Sequence, residues 1–184
     1  MKAHGVGYKT ASAVIVLSFL AWAGFTFLFS GMALWFLDQA VIAGLFVAAG
    51  TTLLAACALG YARYEDWSRV ALVAILRIVY FIVEVLRYFM AFAAIGISLD
   101  WLQCATFVVA SVIGAAVVIA PQGLGINEAS AALLATLVGV GAGMAFIAAA
   151  LQRVVRLAGM AAIAAGFVIF IRRDKANFAN GKSE

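Results

Sequence analysis

Two long apolar runs without a charged residue fill the N-terminal third of the sequence, at residues 11–37 and 40–62. Each is longer than the about 20 apolar residues that an α-helix needs to cross the hydrocarbon core of a bilayer. Of the 184 residues, 67% are hydrophobic and 11% are charged, a composition outside the range of soluble globular domains. The sequence therefore predicts an integral membrane protein and argues against a separate soluble domain or a nucleic-acid partner.

Further apolar segments follow at residues 70–97, 101–120, 129–138 and 144–171. We expect an all-α, polytopic membrane protein with about six membrane segments between residues 11 and 171. These would form one transmembrane domain over residues 1–184, with a short N-terminus at 1–10 and a polar tail at 172–184. Basic residues concentrate on the cytoplasmic side of membrane proteins. The arginines at 63, 69, 172 and 173 therefore predict a cell (inner) membrane protein with both termini in the cytoplasm.

The apolar pattern is interrupted around the only proline of the chain. Pro121 cannot donate a backbone hydrogen bond, and Gly123 and Gly125 allow backbone angles that other residues avoid. Asn127 can cap a new helix, whose first turn would then hold the negative charge of Glu128. The expected form is a helix, an irregular loop and a second helix. Two arrangements remain open, a re-entrant hairpin around Pro121 buried by protein or water, and an ordinary interfacial turn.

Three ionisable residues lie inside the third apolar segment. Arg77, Glu84 and Arg87 are separated by seven and three positions, so they lie near one face of a helix. An ionised side chain near the bilayer centre costs about 2.5–3.5 kcal/mol on insertion scales, which makes such a stripe a candidate for function. In the alternative interpretation, Glu84 simply pairs with Arg87, and the arginines extend toward the two membrane surfaces.

The last apolar segment holds two arginines one helical turn apart, Arg153 and Arg156. Like charges at this spacing repel, so they indicate a shared anion or a water-filled site, unless both lie at the membrane interface. Glu128 is the nearest acidic residue in sequence, and it is a candidate partner for Arg153. Arginines outnumber glutamates in the apolar segments, and guanidinium groups bind phosphate in bidentate fashion. We therefore predict a substrate-binding site for a lipid phosphate at Arg77, Glu84, Arg87, Glu128, Arg153 and Arg156, with Pro121, Gly123 and Gly125 as its structural loop.

The residues Pro121, Gly123, Leu124, Gly125, Glu128 and Arg153 resemble the signature of a known family. This is the lysylphosphatidylglycerol synthase transmembrane family of flippase-like membrane proteins, which has Pro-Gly-Gly-Leu-Gly-x-x-Glu before an apolar helix and an arginine. The sequence departs from this pattern at Gln122 and at Asn127. The resemblance covers about residues 75–171 and corresponds to a C-terminal portion of the family's fold. The family's earlier half, with its own Pro-Arg-x-Gly-Glu motif, has no equivalent in this sequence.

The resemblance implies a multi-pass protein that binds and translocates, or presents, an anionic polar-headed lipid of the phospholipid or polyprenyl-phosphate type. An alternative is a non-catalytic scaffold or subunit for an enzyme of envelope or polysaccharide assembly, and a homo-oligomer could replace the missing half. We expect no enzymatic activity, because the sequence has no Gly-x-Ser-x-Gly elbow and only one histidine, His4. No metal or other cofactor is expected. Cys57 and Cys104 lie in apolar runs and read as small packing residues.

Overall fold

The computed structural model describes residues 8–61, 67–117 and 124–180, and this part of the chain contains six α-helices and no strand. The helices are α1 (Tyr8–Phe36), α2 (Ala40–Tyr61), α3 (Trp67–Ala94), α4 (Trp101–Ala116), α5 (Ile126–Ala135) and α6 (Ala142–Asn180). The chain divides into two compact units, residues 1–149 and 150–184, which are described separately below. The predicted single transmembrane domain stays a prediction.

Three of the helices are long and apolar enough to cross a membrane, with spans at Ala13–Phe36, Ala40–Tyr61 and Ala142–Phe167. The helix α3 has 28 residues but carries the three charged side chains predicted from the sequence. The helices α4 and α5 have 16 and 10 residues, about 24 and 15 Å of helix at 1.5 Å per residue. The protein is thus an all-helical membrane protein, as predicted, in which two of the six helices are shorter than the bilayer is thick.

Glycines allow α1 and α2 to pack closely as an antiparallel pair. A Cβ atom added at Gly50 would lie 2.6 Å from the Leu28 amide nitrogen and 2.8 Å from the Gly24 carbonyl oxygen. A Cβ at Gly31 would lie 2.9 Å from the Val47 nitrogen. Gly44, on the same helix as Gly50, makes no such contact, because nothing lies within 4 Å of a Cβ added there.

The helix α4 is the buried centre of the first unit. Ten of its 16 residues are buried, and it contacts α1, α3 and α5. It runs antiparallel to α1, since Ser30 donates a 2.7 Å hydrogen bond to the carbonyl of Ala105 while Trp22 packs near Val112. On its α3 side, the ring of Phe107 lies 4.9 Å from that of Phe92. Side chains from three helices therefore fix the position of α4.

Three helical segments end in the same way, with a residue in the left-handed conformation after the last turn. These residues are Asp38 after α1, Gly96 after α3, and Gly139 in the turns that follow α5, with φ of 60°, 81° and 71°. In each case the next residue's N–H bonds to a carbonyl five positions earlier, the 6→1 bond of a Schellman motif. The chain therefore turns at Asp38 between α1 and α2, and at the glycines after residue 138 between α5 and α6.

The short helices α4 and α5 form a hairpin. Gln103, near the start of α4, donates a 3.4 Å hydrogen bond to the carbonyl of Val138 beyond the end of α5. At the other end, a Cβ at Gly114 would lie 3.0 Å from the Cβ of Asn127. The chain therefore enters and leaves the hairpin at the same end of the bundle. Pro121 and Gly123 lie outside the described residues, so the choice between a re-entrant and an interfacial loop stays open.

The helix α6 continues through Asn180, so most of the polar segment predicted as a tail is helical. Its residues 150–180 form the described part of the second unit. Large apolar side chains are exposed along this part, among them Val154, Val155, Met160, Ile163 and Phe167. Such a surface is expected for a helix that contacts lipid.

Candidate functional site

An ion pair within α3 includes Glu84, which is the most deeply buried charged residue in the described part of the first unit. Arg87 Nη1 lies 2.7 Å from Glu84 Oε1, and the side chains are 19% and 0% exposed, respectively. The pair is made between residues one turn apart, as the spacing allowed. Breaking such a pair would leave a carboxylate without its cation in an apolar interior, which is costly. The pair therefore keeps an arginine partly accessible beside a fully buried carboxylate.

The pair lies near the middle of the apolar bundle. The helices α1 and α3 run parallel, because Arg77 bonds to Ser18 and the ring of Tyr80, the next turn of α3, lies 5.8 Å from that of Trp22. Glu84 follows Arg77 by seven residues, about 10.5 Å along the helix axis. That distance brings Glu84 level with the centre of the span Ala13–Phe36 on α1. The first unit thus holds an ion pair at mid-depth.

Arg77 does not join this pair. It donates from Nη2 to the hydroxyl of Ser18 on α1, two helical turns away from Glu84. Among residues 8–61, 67–117 and 124–180, no carboxylate lies within ion-pair distance of Arg77. The predicted stripe is therefore split into a neutralised pair at mid-depth and a separate guanidinium nearer one end of the bundle.

The sequence analysis missed the contribution of α1. Trp22, Thr26 and Ser30 follow Ser18 at intervals of four residues, so all four lie on one helical face. Thr26 and Ser30 are fully buried and Trp22 is nearly so. Within the described residues, neither the Trp22 indole N–H nor the Thr26 hydroxyl has a hydrogen-bond partner. The four-residue spacing of polar side chains in an uncharged run was the signal that could have identified this face.

The start of α5 is built around Glu128. Its Oε2 accepts a 2.9 Å hydrogen bond from the backbone N–H of Gly125, which precedes the helix with a φ of 83°. The prediction that Glu128 falls in the first turn is confirmed. The prediction that Asn127 caps the helix is wrong, because the cap is Gly125, two residues earlier, and the helix begins at Ile126. Asn127 instead lies inside the first turn and is buried against Gly114.

Arg153 and Arg156 lie one turn apart on α6, in the second unit, and both are partly buried. Their neighbours Val154, Val155 and Leu157 are exposed apolar residues. The predicted approach of Arg153 to Glu128 stays a prediction, as does the assignment of all six charged residues to one substrate site.

No group of three or more His, Cys, Asp or Glu side chains within the described ranges could hold a metal ion. Both cysteines are free thiols and are buried, in keeping with their interpretation as packing residues.

Comparison with family models identifies a match to the lysylphosphatidylglycerol synthase TM region over residues 60–164, more than half of the chain. The chain belongs to this family. The matched region holds every charged candidate residue, from Arg77 to Arg156, together with the α4–α5 hairpin. The matched region does not include α1, which carries Ser18, and it includes only the last two residues of α2. No curated protein and no solved structure matched the chain.

Proposed function

We propose that this member of the lysylphosphatidylglycerol synthase transmembrane family binds an anionic, polar-headed lipid and moves or presents it across the cell membrane. The proposed role is non-catalytic, and the lipid leaves chemically unchanged. Family membership supports a role in lipid handling. The finer assignment to translocation is based on the charged residues of α3.

The observation that carries the proposal is the ion pair of Glu84 and Arg87. A headgroup that crosses a bilayer meets its highest free energy at the hydrocarbon centre, where charge is poorly solvated. The pair lies at that depth, and the Arg87 side chain is still 19% exposed. A guanidinium can form two parallel hydrogen bonds to a phosphate as well as to a carboxylate. Arg87 can therefore exchange the carboxylate of Glu84 for the phosphate of a passing lipid.

Glu84 has two roles in this mechanism. With no lipid bound, its carboxylate neutralises Arg87 and removes the cost of an isolated buried cation. When a phosphate binds, the carboxylate repels it, which prevents the anion from remaining at mid-depth. A site that both accepts and releases its ligand is a requirement for transport, because tight binding alone would trap the lipid.

The α4–α5 hairpin is the proposed moving part. Its two helices are shorter than the bilayer is thick, and α5 begins at a glycine in the left-handed conformation. A hairpin that enters and leaves at one surface adds no net crossing. The termini then lie on the same side whether the hairpin is re-entrant or spans fully, and the proposed cytoplasmic location of both termini holds for either arrangement.

The test uses the full chain in vesicles of phosphatidylcholine that contain a trace of fluorescent phosphatidylglycerol, with a membrane-impermeant quencher added outside. We expect the protein to accelerate loss of the protected fluorescence, and Arg87→Gln to slow that rate about tenfold. Leu86→Ala, at an exposed apolar neighbour on α3, is the matched control and should behave as wild type. Unchanged flip of phosphatidylglycerol, phosphatidic acid and a polyprenyl phosphate, with folded protein, would reject the proposal.

A further inference from the structure

A cavity of about 210 Å³ lies between α1, α2 and α3. Side chains from all three helices line it, including Ala21, Phe25, Leu54, Tyr61, Val73 and Ala74. These side chains are apolar apart from the Tyr61 hydroxyl. A cavity of this kind inside a membrane protein is suited to a hydrocarbon chain rather than to a polar solute.

The guanidinium-bearing residue Arg77 lies one helical turn along α3 from this cavity. Arg77 is three and four positions after Ala74 and Val73, which places it on the same face of α3. Its hydrogen-bond acceptor, Ser18, is three positions before Ala21 on α1. Both members of the Arg77–Ser18 contact thus lie about one helical turn from residues that line the cavity.

The charge of Arg77 is not balanced by the described part of the protein. The partner that the structure shows is a neutral hydroxyl, in contrast to the carboxylate that neutralises Arg87. A cation in an apolar bundle is costly without a counter-charge, so a bound anion would stabilise this position. Because the adjacent cavity accepts hydrocarbon, the anion that satisfies both features is the headgroup phosphate of a membrane lipid.

We propose that α1, α2 and α3 form a resting site for one anionic lipid, with an acyl or isoprenyl chain in the cavity and the phosphate at Arg77. Ser18 acts as a positioning residue that holds the guanidinium beside the cavity. Tyr61 ends α2, so the cavity reaches the end of the bundle where lipid headgroups lie. Arg77 and Arg87 are ten residues and about 15 Å apart along α3, so the phosphate in the resting site lies away from the mid-depth pair.

This inference extends the proposed function, since it names the place where the lipid binds before it moves, but it can stand or fall separately. The probe is phosphatidylglycerol with a photoactivatable acyl chain, in nanodiscs of phosphatidylcholine that contain the full-length protein. We expect crosslinks on the cavity segments of α1, α2 and α3, and competition by unlabelled phosphatidylglycerol about tenfold stronger than by phosphatidylcholine.

Four variants separate the effect of charge at Arg77 from the effect of the cavity's shape. Arg77→Gln should abolish the preference for the anionic competitor, and Arg77→Lys should keep most of it. Ala74→Phe should fill the cavity and reduce crosslinking to the cavity segments, whereas Leu76→Phe, at an exposed position of α3, should not. Thermal unfolding of each variant would establish that it is folded.

Crosslinks confined to other helices, or an anionic preference unchanged by Arg77→Gln, would overturn the inference. If either result occurs while wild-type protein still accelerates lipid flip, the resting site is wrong and the proposed function stands. If the cavity is labelled as expected but no lipid flips, the site is correct and translocation is wrong.

Discussion

Removing Arg87 should destabilise the protein far more than removing Arg77, although both are arginines on α3. The variant Arg87→Met leaves the Glu84 carboxylate, which is 0% exposed, without its 2.7 Å partner. Breaking a buried ion pair from one side costs about 3–5 kcal/mol. Because Arg87 is 19% exposed, we take the low end, a loss of about 3 kcal/mol in the free energy of unfolding.

The same geometry predicts a strong coupling between the two residues. Glu84→Gln keeps an amide oxygen that can accept from Arg87, so its cost should be only about 1 kcal/mol. In the double variant E84Q/R87M neither side chain of the pair is charged, and the loss should fall well below the sum of the two single losses, by about 2 kcal/mol. Arg77→Met, the control on the same helix, removes one hydrogen bond to a hydroxyl and should cost about 1 kcal/mol.

The measurement is reversible chemical unfolding of the full chain in mixed micelles, followed by tryptophan fluorescence. Equal losses in the free energy of unfolding for Arg87→Met and Arg77→Met would show that the buried ion pair stabilises the protein no more than a single hydrogen bond does. Additive losses in the double variant would show that Glu84 and Arg87 do not interact in the membrane-embedded state. Either result would refute the physical basis of the proposed exchange at mid-depth.

Three further predictions test the fold. Gly50→Ala should lower the free energy of unfolding by about 1–3 kcal/mol, because its Cβ would lie 2.6 Å from the backbone of α1. Gly44→Ala, on the same helix, should be neutral or stabilising. Equal effects of the two substitutions in thermal unfolding would contradict the close α1–α2 contact. Asp38→Gly should stabilise the protein by about 1 kcal/mol, since Asp38 has a φ of 60°, which glycine adopts more easily. Gly96→Ala should destabilise it for the same reason. A destabilised Asp38→Gly variant would show that backbone strain at residue 38 does not limit stability. Cysteines introduced as Ser98→Cys and Gly141→Cys, in a background that lacks the native thiols, should react with an impermeant maleimide from the same side of sealed vesicles, and labelling from opposite sides would disprove the hairpin.

Most of the helices could be predicted from the sequence because uncharged runs bounded by polar residues leave few alternatives in a membrane. The boundaries of α2 follow directly from Gln39 and the polar residues after Tyr61. The break after α5 also followed from its glycines, since glycine is costly inside a helix and favourable at a left-handed helix end. Local signals of this kind require no knowledge of neighbouring helices.

The candidate site could be predicted only in part, because it depends on contacts between distant segments. Spacing alone indicated that Glu84 could pair with Arg87, and the structure shows this pair. Nothing in the sequence around Arg77 indicated Ser18, which lies 59 residues earlier. Likewise, Asn127 has the chemistry of a helix cap, but Glu128 bonds to the N–H of Gly125, and the helix begins before Asn127.

The contact between Ser18 and Arg77 joins a segment outside the matched family region to one inside it. A gene fragment trimmed to residues 60–164 would encode α3 without the hydroxyl that accepts from its guanidinium and without the two helices that enclose the cavity. Such a minimal fragment would expose Arg77 directly to lipid tails. Studies that transplant or express the family region alone should therefore retain the first two helices.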